Sequence, residues 1–72
     1  MNNYSQLSNR KGAMLGISNK TLPALVDRMT IFISSSEHAK AKQELKEIKS
    51  QIAEIERLLM ESEKLERENA NG

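Results

Sequence analysis

Residues 37–68 read EHAKAKQELKEIKSQIAEIERLLMESEKLERE, thirty-two positions with neither glycine nor proline. Within them Leu45, Ile48, Ile52, Ile55 and Leu59 recur at intervals of three, four, three and four. That spacing is a heptad, with one core position at Leu45, Ile52 and Leu59 and the other at Ile48 and Ile55. Extending the register adds His38, Ala41 and Ser62 to the same seam. The stretch therefore predicts one long amphipathic helix that associates with another helix, and these five apolar residues are its candidate oligomerisation seam. Leu58 and Leu65 lie beside the seam and widen the apolar stripe, as in a bundle helix that also packs its own chain's N-terminal part.

Charges beside the seam bear on how two copies pair. One flank reads Lys42, Lys49, Glu56, Glu63. In an antiparallel pair centred near residues 52–55, Lys42 meets Glu63 and Lys49 meets Glu56, each twice by symmetry. A parallel pair offers little beyond Glu44 against Lys49. Exposed pairs contribute about 0.2–1 kcal/mol each, so they bias the orientation toward antiparallel.

Moving toward the N-terminus, Ser34-Ser35-Ser36-Glu37 marks the clearest internal boundary, because serine disfavours helix interiors and favours caps. It divides the chain into an N-terminal helical region (residues 1–34) and the long helix with its tail (35–72). A short helix is expected over Ser5 to Leu15, weakened by Gly12, then a turn at Gly16. A second helix follows from Ser18 or from an N-cap at Thr21, with Pro23 in its first turn. Leu22, Leu25, Val26 and Met29 lie on one face of it. Thr30 to Ile33 is strand-like by propensity and is read as the end of that helix. Met1 to Asn3 and Asn69 to Gly72 are expected to fray.

Composition narrows the functional classes. Seventy-two residues form one thin domain, and so short a chain often needs disulfides, a metal or a partner to be stable. There is no cysteine and one histidine, which leaves no disulfide, thiolate site or His-rich metal site. Oligomerisation remains as the way to enlarge the core. With 38% apolar and 29% charged residues, the chain is too balanced for a polyelectrolyte tail and too polar for a membrane span. The longest apolar runs, such as Ile31 to Ile33, fall far short of the ~18 residues a spanning helix needs. No signal peptide is visible, and a cytoplasmic location is expected. The charge is graded: residues 1–34 sum to +3, residues 38–50 to +2 and residues 51–72 to −3.

Chemistry is sparse. Glu54, Glu61 and Glu68 repeat every seven residues, but Arg57, Lys64 and Arg67 are interleaved, as on a solvated, ion-paired helix face. His38 has no partner for a metal or catalytic constellation. Ser34, Ser35 and Ser36 have no base beside them. The expectation is a protein that is not an enzyme and uses neither cofactor nor metal. Met14 and Met29 suit a core, whereas Met60 lies off the seam. Together with Leu58 and Leu65 it forms a candidate partner surface.

Residues 12–29, Gly-Ala-Met-Leu-Gly-Ile-Ser-Asn-Lys-Thr-Leu-Pro-Ala-Leu-Val-Asp-Arg-Met, carry a further pattern. A small residue at Gly12, then Gly16-Ile17-Ser18, then Thr21-Leu22, resembles a bacterial helix-turn-helix of the kind found in excisionases and insertion-sequence regulators. The resemblance implies that Asn19, Lys20 and Thr21 open a recognition helix, with Arg10 and Lys11 near phosphate. The expected architecture is thus all-α: a short N-terminal helical region plus a long helix, forming an antiparallel coiled-coil or bundle homodimer. The expected function is that of a small interaction module, such as a phage- or plasmid-type modulator that docks onto a larger protein. A dimeric DNA-binding regulator using a helix-turn-helix over residues 8–29, and a structural or assembly factor, are the alternatives.

Overall fold

The computed structural model describes the backbone of residues 3–71 and the side chains of residues 4–68. It is a helical hairpin. Helix α1 (Asn3–Gly16) runs through a π-helical turn (Ile17–Thr21) into α2 (Leu22–Ser34) without a break, and together they form the first arm. After a tight reversal, α3 (His38–Asn71) returns antiparallel as the second arm. The chain is all-α among the described residues, and the strand-like Thr30 to Ile33 are helical. Of the segments expected to fray, Met1, Asn2 and Gly72 lie outside the described residues, while Asn3 and Asn69 to Asn71 continue their helices.

The first arm differs from the sequence-based expectation. Gly16 has α-helical φ −61° and ψ −43°, so no turn forms there and residues 12–29 follow one helical path. Thr21 is also helical and makes no side-chain cap. Gly12 and Gly16 have open space where a Cβ would stand, so neither is needed for a close helix approach. The N-terminal region is therefore not a short two-helix unit but an arm almost as long as α3.

Pro23 and the apolar spacing together account for the π turn. Proline inside an α-helix removes a hydrogen bond and presses its ring on the carbonyl four residues back. Here the Leu22 N–H bonds to the Ile17 carbonyl, five residues back, which widens the helix just before the ring. Apart from Gly16, the buried and half-buried positions of the first arm are Leu7, Arg10, Met14 and Ile17, then Leu22, Leu25, Met29 and Phe32. Each set is spaced three, four, three, and the step between them is five. One residue beyond a heptad step would swing the stripe by about 100° in a regular α-helix. The π turn absorbs it and returns Leu25 to the face that Ile17 occupies.

At the reversal, the Ser36 N–H bonds to the Ile33 carbonyl (3.0 Å) and the Glu37 N–H to the Phe32 carbonyl (2.8 Å). Ser36 has φ 59°. These are the bonds of a Schellman motif, whose left-handed position favours glycine. The Ser35 hydroxyl donates to Glu37 Oε2 at 2.6 Å, and the Glu37 carbonyl accepts the first bond of α3 from Ala41. Lys40 Nζ ties the two sides together, 2.9 Å from Glu37 and 5.7 Å from the centre of the Phe32 ring.

Between the arms the core is one seam deep: Ile17 and Leu25 from the first arm, Ala41, Ile48 and Leu58 from the second. On α3 the seam is Ala41, Glu44, Ile48, Gln51, Ile55, Leu58, Ser62 and Leu65, a heptad of its own. It shares Ile48 and Ile55 with the expected oligomerisation seam and replaces Leu45, Ile52 and Leu59 with Glu44, Gln51 and Leu58. Leu58, expected on a partner surface, is 6% exposed because it packs on the first arm, whereas its neighbour Leu59 is 51% exposed.

In the single hairpin, at protein concentrations shown by sedimentation to be free of self-association, Leu58→Ala should cost about 2–4 kcal/mol in urea unfolding, and Leu59→Ala less than about 1 kcal/mol. Equal losses there would contradict the division of the seam. Ser36→Gly should raise stability by about 1 kcal/mol, by relieving the left-handed strain at the reversal, measured as a higher urea midpoint with unchanged helicity.

Candidate interaction surface

The hairpin has two unlike edges. One is polar and closed by ion pairs, with Ile31, 63% exposed one turn beyond Arg28, as its apolar exception. Arg10 Nε meets Glu61 Oε1 at 2.9 Å and Arg28 Nε meets Glu44 Oε1 at 3.0 Å, each joining the two arms. Arg57 bridges Glu54 (2.5 Å) and Glu61 (2.6 Å) along α3. A groove of about 310 Å³ at the open end of this edge is lined by Arg10, Glu61, Lys64, Leu65 and Glu68.

The electrostatics of this edge follow from the pairs. Arg10 chiefly, then Arg57, hold the Glu61 carboxyl below the usual value near 4.5. Arg57 does the same to Glu54, and the two glutamates raise the Arg57 guanidinium in turn. The Glu37 carboxyl is lowered by the Ser35 hydroxyl and then by Lys40. These groups are open to water, which screens them.

The other edge is apolar and uncovered. Leu45, Ile52 and Leu59 repeat every seven residues on α3, and all three are exposed. Across from them the first arm exposes Val26 and Ile33, on the opposite flank of α2 from Arg28. Leu15 is also exposed, one helical turn beyond Lys11. Toward the open end the edge deepens into a groove of about 290 Å³, floored by Leu7, Met14 and Leu59 and rimmed by Lys11 and Glu63. Ser62 also lines it, and its buried hydroxyl has no hydrogen-bond partner.

The predicted site residues are therefore redistributed. Ile48 and Ile55 are committed to the hairpin, while Leu45, Ile52 and Leu59 are presented outward. Lys42, Lys49, Glu56 and Glu63 are exposed beside that stripe, and none makes an ion pair among the described residues. Of the candidate partner surface, Met60 is exposed, Leu65 is half-buried and Leu58 is interior. Arg10 is held by Glu61, Lys11 borders the apolar groove, and Asn19, Lys20 and Thr21 are exposed on the π turn. Val26, expected on the apolar face with Leu22, Leu25 and Met29, is instead 42% exposed, because the face that packs on α3 runs through Leu22, Leu25, Met29 and Phe32 and Val26 lies at its flank. Ile33 and Leu15 are exposed on the same flank and were not expected as surface.

Among the described residues there is no group of three or more His, Cys, Asp or Glu placed to hold a metal ion, and no helix long and apolar enough to cross a membrane. Compared with protein-family models, curated proteins and solved structures, the chain matches none.

The lowered carboxylates set an acid dependence. A folded pKa below the unfolded one contributes stability that is present above about pH 4.5 and is lost as pH falls through the folded value. Thermal unfolding from pH 7 to pH 3 should show a drop in Tm below pH 4.5. Glu61→Gln should lower the neutral-pH Tm slightly and flatten that drop. An acid profile unchanged in the variant would mean that Glu61 is not held by Arg10 in solution.

Proposed function

We propose that this chain is a small, non-enzymatic protein–protein interaction module that works as a helical-bundle homodimer and modulates a larger protein on which it docks. The observation that carries this reading is the apolar edge of Val26, Ile33, Leu45, Ile52 and Leu59, left in water by a chain whose opposite edge is closed by ion pairs. An uncovered apolar face of this kind marks an interaction site. The shape supports the same reading. The radius of gyration is 16.2 Å, against about 11 Å for a compact domain of this length. The accessible surface is 5392 Å², against about 4,500 Å² for a monomer of this mass. A single hairpin buries little, and covering its apolar edge adds a second core layer.

Ile52→Asp tests the reading, because Ile52 is 53% exposed and the hairpin does not depend on it. The wild type, used as bait in a bacterial lysate with and without nuclease, should retain under both conditions a specific protein that the variant loses. Circular dichroism should show the same helicity for both. Identical retention by the two chains would overturn the proposal, and loss of the retained protein on nuclease treatment would point to a nucleic-acid complex instead.

A further inference from the structure

We infer that a second copy of the chain covers the apolar edge, packed face to face about a two-fold axis beside Ile52, so that α3 runs antiparallel to α3 and four helices enclose one core. The inference rests on the interaction-module reading and names the occupant of its surface. It differs from a two-stranded coil through all five seam residues, because Ile48 and Ile55 are already used inside each hairpin.

Three features of the edge are self-complementary about the same point. First, Leu45 and Leu59 each lie seven residues from Ile52. Antiparallel α3 helices then place Leu45 against Leu59 of the second copy and Ile52 against its own equivalent. Second, the outer flank is basic on one side of that point and acidic on the other. Lys42 falls opposite Glu63 and Lys49 opposite Glu56, so four side chains without ion pairs in the single hairpin acquire four pairs in the dimer. Third, the first arm obeys the same axis. Met14 lies level with Leu59 and Arg28 with Glu44, so Ile52 is level with the π turn. A two-fold axis there sets exposed Leu15 against exposed Val26 of the second copy.

The dimensions agree. Ile52 lies within three residues of the middle of α3 (His38–Asn71), so hairpins 55 Å long overlap along nearly their whole length. Antiparallel four-helix packing of this kind interdigitates residues at heptad spacing. The groove floored by Met14 and Leu59 then receives Leu45 of the second copy.

Charge reversal on the exposed flank tests both the occupant and its orientation without touching the hairpin core. Lys42→Glu with Lys49→Glu makes the flank wholly acidic, and Glu56→Lys with Glu63→Lys makes it wholly basic. By sedimentation equilibrium the wild type should be a dimer. Each double variant alone should dimerise about tenfold more weakly or worse, since several rim pairs turn repulsive. An equimolar mixture of the two should recover a heterodimer of near wild-type strength. In the cysteine-free chain, Leu45→Cys mixed with Leu59→Cys should form a disulfide that neither forms with itself. Self-crosslinking of Leu45→Cys, or double variants as tightly dimeric as the wild type, would overturn the antiparallel arrangement. A wild type that stays monomeric at about 100 µM, a concentration at which weak dimers are populated, would overturn the second copy as occupant. If Ile52→Asp still abolished capture of another protein, the interaction-module reading would survive that result. If it did not, both would fall.

Discussion

The hairpin depends on one packing event, the seating of the α3 heptad from Ala41 to Leu65 against the first arm. Most helical stability in proteins comes from tertiary packing of an amphipathic face, and each arm packs its apolar stripe on that of the other. Few side chains are buried, none of the described ones completely, so the seam has little depth to spare. The reversal at Ser35 to Glu37 makes the seating local: a three-residue connection brings Phe32 and Lys40 together at small entropic cost. The strained φ of Ser36 is sustained because two backbone bonds and the Lys40 contacts fix the reversal around it.

The π turn is a consequence of the same seam. A stripe that steps by five between Ile17 and Leu22 cannot stay on one face of a uniform α-helix, and Pro23 penalises a uniform helix at the same place. Both constraints are met by one widened turn. It keeps the first arm straight enough to remain in contact with α3 from Leu7 to Phe32, at the cost of less favourable backbone hydrogen bonding over a single turn. The π turn also lies level with Ile52, so the irregular part of the first arm and the centre of the apolar edge coincide.

Sorting of charge gives the hairpin its two sides. Arginines reach across the seam on one edge, where Arg10 and Arg28 find Glu61 and Glu44 on the other arm. On the opposite edge the near positions are Val26, Ile33, Leu45, Ile52 and Leu59, and the nearest charges lie farther out as Lys42, Lys49, Glu56 and Glu63. The polar edge is satisfied within one chain and the apolar edge is not. That asymmetry leaves a continuous uncovered apolar stripe on one side of the molecule.

Helical class, the long α3 and the break after Ser34 were legible in the sequence, because they follow from local rules: an uninterrupted heptad, the absence of Gly and Pro, and serines that compete for backbone hydrogen bonds. The flank of Lys42, Lys49, Glu56 and Glu63 was legible for the same reason. The division of the apolar stripe was not. Leu58 and Leu59 are chemically alike and adjacent, and a periodicity wide enough for two seams does not say which one faces the chain's own first arm. Only the antiparallel packing decides that, by placing Leu58 opposite the first arm and leaving Leu59 at the edge. The continuity of residues 3–34 was likewise a tertiary outcome. Gly16, Thr21 and Pro23 each carry a local preference for a turn or a helix start, and the requirement that Ile17 and Leu25 share one face of a 34-residue partner helix overrode all three.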